Sequence, residues 1–313
     1  MKMKKNKIFM MLICLVTILT NVNITTFAST TGDYKNLLDK GFSVNQINHM
    51  PSSLFEKLNR SGYTNVSKEE KYYRITYNKE THEKTSQEFT KQNYKSQYTK
   101  DLKAKERTKS LDALQIPSLV TSKTVTIKGG FIEVDWLRLT THIDYYGPDN
   151  SYELSNFYEW TTTPSFRVND VLGIGISENF SPIPDTQFFS AQYNHYHYDV
   201  TNGPSTVTEY VDKTRQDQSG SGGMGFYYDL PSDFAGSYGV RDNYTGFMGY
   251  MTFSCNLNEN VAPTFANAYG NYSHEQTGLT LTPSLKYPLG GVLSLSWSSR
   301  YDKVFTNCQA TVN

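Results

Sequence analysis

The feature that most constrains the fold is a two-residue alternation of apolar and polar side chains that recurs after about residue 114. Ile132, Val134 and Trp136, for example, alternate with acidic residues. Successive side chains of a β-strand point to opposite faces, so this period indicates strands with one buried face. Turn sequences, such as those at residues 147–150 and 288–291, separate the segments. We therefore predict a mainly β body over residues 114–313, an antiparallel β-sandwich or a barrel-like fold.

Two details of the alternation predict local structure. After Trp136 the apolar phase switches to Leu137 and Leu139, which predicts a β-bulge in this strand. Cys255 shares a strand face with Phe247, which predicts that its side chain is buried. Further strands are predicted at residues 166–171, 173–177, 188–200, 206–214, 224–228, 247–257, 278–281 and 292–301.

A small helical unit is predicted ahead of this body, over residues 29–66. Ser43 and Gln46 have the spacing of a capping box, and Ser53 and Glu56 repeat that spacing. A segment this short buries too little surface to fold alone. We therefore expect it to dock on the β body, or else on a partner or the cell wall.

Residues 67–113 are predicted to form a basic, polar connector with one strand, at residues 72–77. Within it, Tyr94, Tyr98 and Leu102 recur every four residues, which is typical of an amphipathic helix with a narrow apolar stripe. The polar composition fits an exposed linker equally well. The sequence leaves both interpretations open.

Charge is distributed unevenly along the chain. Residues 67–110 contain 12 Lys+Arg and 7 Asp+Glu, whereas residues 111–313 contain 10 Lys+Arg and 20 Asp+Glu. An acidic body repels the phosphates of nucleic acids, so no nucleic-acid partner is expected. The asymmetry fits a charged partner, packing of one part on the other, or an ordinary solvated surface.

The N-terminal segment predicts export. Four lysines within the first seven residues precede an apolar run at residues 8–19, and small residues flank a cleavage position after Ala28. This order is typical of a secretory signal peptide, and the run is shorter than the roughly 20 residues that a membrane-spanning helix needs. We predict a signal peptide over residues 1–28 and a soluble, extracellular mature protein. The Lys-, Asn- and Tyr-rich composition suggests a Gram-positive bacterium.

Two cysteines remain after this cleavage, Cys255 and Cys308. An even number of cysteines in an exported chain predicts one disulfide bond between them. Free cysteines are also frequent in protein cores, so two small buried thiols are the alternative.

The most distinctive polar motif places two histidines and a carboxylate on one strand. His195, His197 and Asp199 are two residues apart, so their side chains share a face. Such a set suits zinc or another divalent transition metal, with His142 or His274 as a further ligand. The alternative is a surface or hydrogen-bonded pair of histidines. The intervening tyrosines are then expected on the core side, with the histidines in water.

Aromatic residues are concentrated around the predicted turn at residues 147–150. Planar rings suit binding surfaces, so this segment predicts a site for a glycan, a cell-wall component or a protein ligand. The same residue types are favoured in strands, so a place in the core is the alternative. The candidate ligand-binding residues are Tyr145, Tyr146, Tyr152, Tyr158 and Trp160.

Motifs for catalysis are weak in this sequence. The glycine-rich segments at residues 173–175 and 219–225 do not continue into the Gly-Lys-Ser/Thr ending of a phosphate loop. Neither G-x-S-x-G nor H-E-x-x-H occurs. No catalytic residue and no cofactor other than a divalent metal is therefore predicted. Paired carboxylates that meet only in the folded chain stay an alternative.

Three functions from different classes agree with these patterns. The sequence favours a secreted, non-catalytic binding protein with an aromatic-rich surface for a cell-wall or host glycan or a protein. A β-pore-forming toxin is the second, because residues 206–214 and 293–297 alternate Ser or Thr with apolar residues, as strands of a membrane barrel do. Only this function requires a membrane as partner. The third is an extracellular metal-dependent hydrolase that uses His195 and His197.

Overall fold

Two antiparallel sheets that do not close into a barrel dominate the chain, and small helices precede them. The predicted mainly β fold is therefore confirmed. The chain divides into two compact units, Met1–Ile47 and Asn48–Asn313. The predicted signal peptide and the predicted strand at residues 278–281 lie outside the described residues. This computed structural model describes residues 31–40, 42–81, 83–114, 132–211, 215–218, 222–236, 239–258, 265–275, 285–286, 294–295 and 301–311.

The first unit contains helix α1 (Thr31–Asp39) and nearly all of helix α2 (Val44–Asn48). The predicted capping box is present at the start of α2. The Ser43 N–H donates to Gln46 Oε1 (2.8 Å), and the Gln46 N–H donates to Ser43 Oγ (3.1 Å). This reciprocal pair satisfies two backbone donors at the helix start.

The larger sheet belongs to the second unit, and all its strand pairs are antiparallel. Two further strands, β6 (Phe180–Pro182) and β11 (Phe234–Ala235), pair with opposite ends of β12 (Arg241–Leu257). A short 3₁₀ turn, Gly147–Asp149, joins β3 (Ile132–Tyr146) to β4 (Ser151–Trp160). In spatial order the main strands are β2 (Lys84–Phe89), β1 (Tyr63–Asn78), β3 (Ile132–Tyr146), β4 (Ser151–Trp160), β12 (Arg241–Leu257), β7 (Phe188–Asp199) and β8 (Gly203–Val211).

The smaller sheet packs against the larger one. Side chains meet across the interface: the Tyr158 and Tyr272 rings stack with centroids 4.6 Å apart, and the Trp160 indole N–H donates to the Tyr272 hydroxyl at 2.7 Å. A separate two-stranded sheet contains β14 (Leu285–Lys286) and β15 (Ser294–Leu295). In spatial order the strands of the smaller sheet are β16 (Tyr301–Thr311), β13 (Phe265–Glu275), β5 (Asn169–Ile176), β10 (Gly223–Asp229) and β9 (Arg215–Gln218).

Helix α3 (Ser52–Leu58) packs on the larger sheet. The Lys57 ammonium lies 2.6 Å from the carboxylate of Glu153 on β4, whose side chain is only 1% exposed. The predicted second capping box is wrong, because Pro51 is the N-cap residue and no side chain caps this helix. The backbone of Pro51 is extended and the helix begins at Ser52, two residues earlier than the Ser53–Glu56 spacing requires.

The predicted bulge near Trp136 is also wrong. The β1–β3 register is continuous from residue 67 to residue 78 of β1, and it shifts between Asn65 and Ser67 instead. The apolar phase switches because β3 is buried on both faces. Leu137 and Leu139 belong to the core between the sheets, whereas Trp136 contacts Phe89 and Tyr94 on the opposite face.

Helix α4 (Lys91–Leu114) covers this second face of β3, so the helical interpretation of the connector is correct. Tyr94 and Tyr98 lie edge-on against Trp136. Asp101 accepts hydrogen bonds from the Trp136 indole (3.0 Å) and the Arg74 guanidinium (2.7 Å). The polar strand β2 was not predicted in this region. Among the described helices, none is both long and apolar enough to cross a membrane.

A polar contact joins the two sheets at a point where they approach closely. The Thr141 hydroxyl donates to Asn156 Oδ1 (3.1 Å) and is hydrogen-bonded to the Thr306 hydroxyl. The Asn156 amide in turn donates to the Gly173 carbonyl of the smaller sheet at 3.0 Å. A Cβ atom at Gly270 would overlap the Thr141 and Thr306 hydroxyls. This position therefore requires glycine for close approach.

We expect Gly270→Ala to lower the free energy of unfolding by about 3 kcal/mol, because the added methyl separates the sheets or displaces the hydroxyls. Urea unfolding of the purified protein measures the change. Gly147→Ala is the matched control, because its Cβ would meet no atom closer than 3.7 Å. Equal stability of the two variants would contradict this account of the sheet contact.

Candidate functional site

One end of the larger sheet lies outside the core and carries the histidine motif. We call residues 194–199 of β7, 203–209 of β8 and 241–245 of β12 the exposed end. Burial decreases sharply here, because these parts of β7 and β12 are half-buried or exposed whereas the rest of β12 is mostly buried. Its inner face continues into the core between the sheets, and its outer face is the opposite one. Large exposed apolar side chains at or beside this end are Tyr196, Tyr198, Val200, Val207 and Phe234.

A β-bulge in β12 determines which side chains share the inner face. The register with β7 shifts between Thr245 and Met248, and Gly246 within the bulge has φ 67°. The extra residue reverses the alternation, so Tyr244 lies on the same face as the core residue Phe247. Asp242, two residues before Tyr244, lies on this inner face as well.

The inner face brings His195, His197 and Asp242 together. Asp242 Oδ1 lies 2.8 Å from His195 Nε2 and 2.6 Å from His197 Nδ1. One nitrogen from each ring and one carboxylate oxygen all lie within 4.8 Å of one another. The second ring nitrogen of His195, Nδ1, lies 2.5 Å from Glu209 Oε1 on β8. The Tyr244 ring stacks on the His195 imidazole with centroids 4.5 Å apart.

These contacts shift the protonation of the group. The hydrogen bond with Asp242 is the main cause that raises the pKa of His195, and Glu209 raises it further, whereas burial acts in the opposite direction. Hydrogen bonds from His197 and His195 lower the pKa of Asp242. The arrangement can hold protons between imidazoles and carboxylates, and its donor atoms are also those of a transition-metal site.

The structure places the sequence-predicted metal ligands in different positions. His195 and His197 share one face as the spacing predicted, but Asp199 lies at the strand end and accepts hydrogen bonds from the Thr201 N–H (2.7 Å) and the Asn202 amide (3.1 Å). Asp242 comes close to both rings instead. Sequence reasoning missed Asp242, because strand pairing and the bulge bring it there from 45 residues away.

The other two candidate ligands are not at the exposed end. His142 is buried on β3 beside Asn65, and His274 is buried in the core with Asp170. The expected core position of the tyrosines between the histidines is wrong. Tyr196 and Tyr198 are 39% and 36% exposed, because they lie on the outer face of the sheet, opposite the side that continues into the core.

The outer face of the exposed end presents these two tyrosines side by side. On β12 their register partners are Asn243 for Tyr196 and Arg241 for Tyr198, and both partners are exposed. On β8, Thr206 pairs with Tyr196 and is exposed as well. The result is an exposed surface with two phenol rings flanked by amide, guanidinium and hydroxyl groups.

The predicted aromatic ligand site around residues 147–150 does not form one surface. Tyr158 and Trp160 are 2% and 3% exposed and belong to the core, so their assignment to a binding surface is corrected. Their strand faces the smaller sheet, which covers them. Tyr152 packs partly on the core and lies near Tyr145, whereas Tyr146 stacks on the Tyr63 ring on the other face of the sheet.

The predicted disulfide bond is wrong, and the alternative of two buried thiols is correct. Cys255 and Cys308 are both free and buried. They lie on strands of different sheets, and the Cys308 thiol donates to the Thr141 carbonyl at 3.0 Å. Burial raises the pKa of Cys308 to about 12 and raises that of Cys255 strongly, so both thiols are protonated and unreactive at neutral pH.

A second titratable cluster is buried in the core. His274 Nδ1 lies 2.8 Å from Asp170 Oδ1, and the Tyr272 hydroxyl donates to the other oxygen of Asp170. Burial alone would lower the pKa of His274, but the carboxylates of Asp170, Asp302 and Asp135 together outweigh it and raise the pKa. Asp302 pairs with His274 across β16 and β13, and burial raises its pKa to about 6. This cluster lies within the core and presents no open site.

Comparisons with known proteins give only weak structural similarity. No protein-family model matches the chain, and no curated protein matches it. It is similar to a solved "Pore forming protein" at 10% identity, with 55% of this chain and 86% of that chain covered and a TM-score of 0.27. The similarity to AvmM, which catalyses macrocyclization in alchivemycin A biosynthesis, covers 50% and 79% at 11% identity and TM-score 0.19. A structure described as "pH-induced modulation of Streptococcus parasanguinis adhesion by Fap1 fimbriae" is similar over 56% and 79% at 11% identity and TM-score 0.23. These values assign no function.

The buried cluster predicts a stability that falls as pH rises. A carboxyl group whose pKa is raised on folding binds its proton more tightly in the folded chain, so the stabilising contribution of Asp302 is complete below its ordinary pKa of 3.8 and is lost as pH rises through the folded-state value of about 6. The raised pKa of His274 acts in the same direction, with its contribution lost as pH rises through the folded-state value. We expect the free energy of unfolding to be about 1 kcal/mol higher at pH 5 than at pH 8 from Asp302 alone.

Urea unfolding at pH 5, 6.5 and 8 measures this slope. Asp302→Asn imitates the protonated carboxyl group, so its stability should change less between pH 5 and pH 8 than that of the wild type. Asp149→Asn, in the exposed turn before β4, is the control and should keep the wild-type slope. An unchanged slope in Asp302→Asn would show that other groups cause the dependence.

Proposed function

We propose that the chain is an exported, non-catalytic protein that binds a glycan on the outer face of the exposed end. The observation that carries this proposal is the pair of exposed rings, Tyr196 and Tyr198, on one face of a regular sheet. Two residues of a strand span about 7 Å, so the rings can contact neighbouring sugar units of one chain. The apolar faces of sugar rings pack well on planar aromatic rings.

The polar neighbours of the rings support the same ligand class. Arg241, Asn243 and Thr206 are register partners of the tyrosines and are exposed on the same face. Guanidinium, amide and hydroxyl groups beside a ring supply the directional hydrogen bonds that sugar hydroxyls require. The register partners of Tyr196 and Tyr198 include no carboxylate, whereas hydrolysis of a glycosidic bond normally uses a carboxylate pair. We therefore propose that the protein binds the glycan and does not cleave it.

The position of the rings on strands also favours binding. A sheet surface holds side chains in fixed relative positions, so little conformational entropy is lost when a ligand binds. On the inner face, the contacts of His195 and Asp242 connect β7 to β12 directly beneath the tyrosines. This contact links two strands at an end of the sheet whose residues on β7 and β12 are half-buried or exposed.

Isothermal titration with chitohexaose and sedimentation with purified peptidoglycan test this function. We expect the wild type to bind at least one of these polysaccharides. Tyr196→Ala and Tyr198→Ala should each weaken binding about fivefold, because each loses one ring contact worth about 1 kcal/mol. Tyr196→Phe and Tyr198→Phe retain the ring face and should bind nearly as well as the wild type.

Phe265→Ala is the matched control, because Phe265 is a 49% exposed aromatic residue of the smaller sheet. This variant should bind as the wild type does, and circular dichroism should show that all variants are folded. The proposal is contradicted if the tyrosine variants and Phe265→Ala bind equally. It is also contradicted if the wild type binds neither polysaccharide but releases dye from lipid vesicles, which would favour the pore-forming alternative.

A further inference from the structure

The inner face of the exposed end has the donor set of a metal site. His195 and His197 are two residues apart on β7, and Asp242 lies on the paired strand β12. Their candidate ligand atoms lie within 4.8 Å of one another. Ligand atoms about 2.0–2.2 Å from one tetrahedral zinc ion lie about 3.4 Å apart. A cation would therefore replace the two hydrogen bonds to Asp242 Oδ1, whose lengths are 2.8 and 2.6 Å, and widen these separations by less than about 1 Å. The three side chains are 20%, 38% and 17% exposed, so solvent reaches the group.

Residues around His195 hold its imidazole ring in one orientation. Glu209 Oε1 accepts from His195 Nδ1 at 2.5 Å, and the Tyr193 hydroxyl donates to Glu209 Oε2 at 3.0 Å. The Tyr244 ring stacks on the face of the His195 imidazole, with an interplanar angle of 16°. A carboxylate that holds one ring nitrogen of a ligating histidine fixes its tautomer and directs the other nitrogen to the metal. The nitrogen so directed in His195 is Nε2, which faces Asp242.

The charge of the group also suits a divalent cation. Two carboxylates, Asp242 and Glu209, lie among two imidazoles, so the group carries two negative charges when both rings are neutral. A divalent cation neutralises this charge. Two imidazole nitrogens favour a transition metal over calcium or magnesium, which prefer oxygen ligands. Among transition metals, zinc accepts three protein ligands with water in the fourth position.

We infer that His195 Nε2, His197 Nδ1 and Asp242 Oδ1 bind a zinc ion, with Glu209 as the residue that positions His195. This site lies on the inner face of the exposed end, whereas the proposed glycan site lies on the outer face. The zinc site does not depend on the glycan site. Two of its ligands come from β7 and one from β12, so the metal joins the two strands that carry the outer tyrosines and their partners. Zinc should therefore stabilise the exposed end.

Titration of the EDTA-treated full-length mature protein with ZnCl₂ tests the site. We expect one zinc ion per chain by isothermal titration and an increase in the melting temperature. Asp242→Asn and His195→Ala should each weaken zinc binding about 100-fold, and Glu209→Gln about tenfold, because it only positions a ligand. CaCl₂ and MgCl₂ at the same concentrations should leave the melting temperature unchanged.

Asp199→Asn is the matched control, since it removes a carboxylate from the same strand but outside the group. It should bind zinc as tightly as the wild type. The inference is overturned if the wild type binds no zinc, or if Asp242→Asn binds it as tightly as Asp199→Asn does. Circular dichroism shows whether each variant is folded. If Asp242→Asn or His195→Ala is unfolded, zinc binding by Glu209→Gln tests the site instead. Glycan binding is not measured here, so either proposal can fail alone.

Discussion

The core and the candidate site both depend on how β12 pairs within the larger sheet. This strand lies between β4 and β7, and its second half contributes Phe247, Met251 and Phe253 to the core. Its first half extends beyond the smaller sheet and carries Asp242. The bulge at Gly246 determines which side chains of the first half share a face with those of the second half. Without the extra residue Asp242 would lie on the outer face, and no carboxylate of β12 would reach the two histidines.

Two sets of buried polar groups are hydrogen-bonded within the protein. The Thr141–Asn156–Thr306 contact lies where the sheets approach closely, and Asp170 holds both His274 and the Tyr272 hydroxyl in the core. Burial of a polar group costs free energy unless it is hydrogen-bonded, so the Thr141–Asn156–Thr306 contact, which joins both sheets, favours one relative position of the sheets. Cys255 and Cys308 lie on strands of different sheets and remain separate, buried thiols.

Much of the fold could be predicted because the signals are local. The alternation placed strands through most of the body, and the capping box at Ser43 predicted the start of α2. Predictions failed where a helix or the other sheet covers a strand face, because the sequence pattern does not show this cover. The phase switch after Trp136 reflects a strand covered on both faces, and Tyr158 and Trp160 lie in the core because the smaller sheet packs on them. Sequence composition identifies aromatic residues, but it does not show which strand face another layer covers.

The sequence by itself determined that the chain is mainly β and that His195 and His197 share one strand face. Both results follow from the two-residue period of a strand, which is a property of neighbouring residues. Only the tertiary structure decided that Asp242 and Glu209 join these histidines and that Tyr196 and Tyr198 are exposed. Strand partners and register are set by hydrogen bonds and packing between distant segments. A single bulge is enough to reverse which side chains meet.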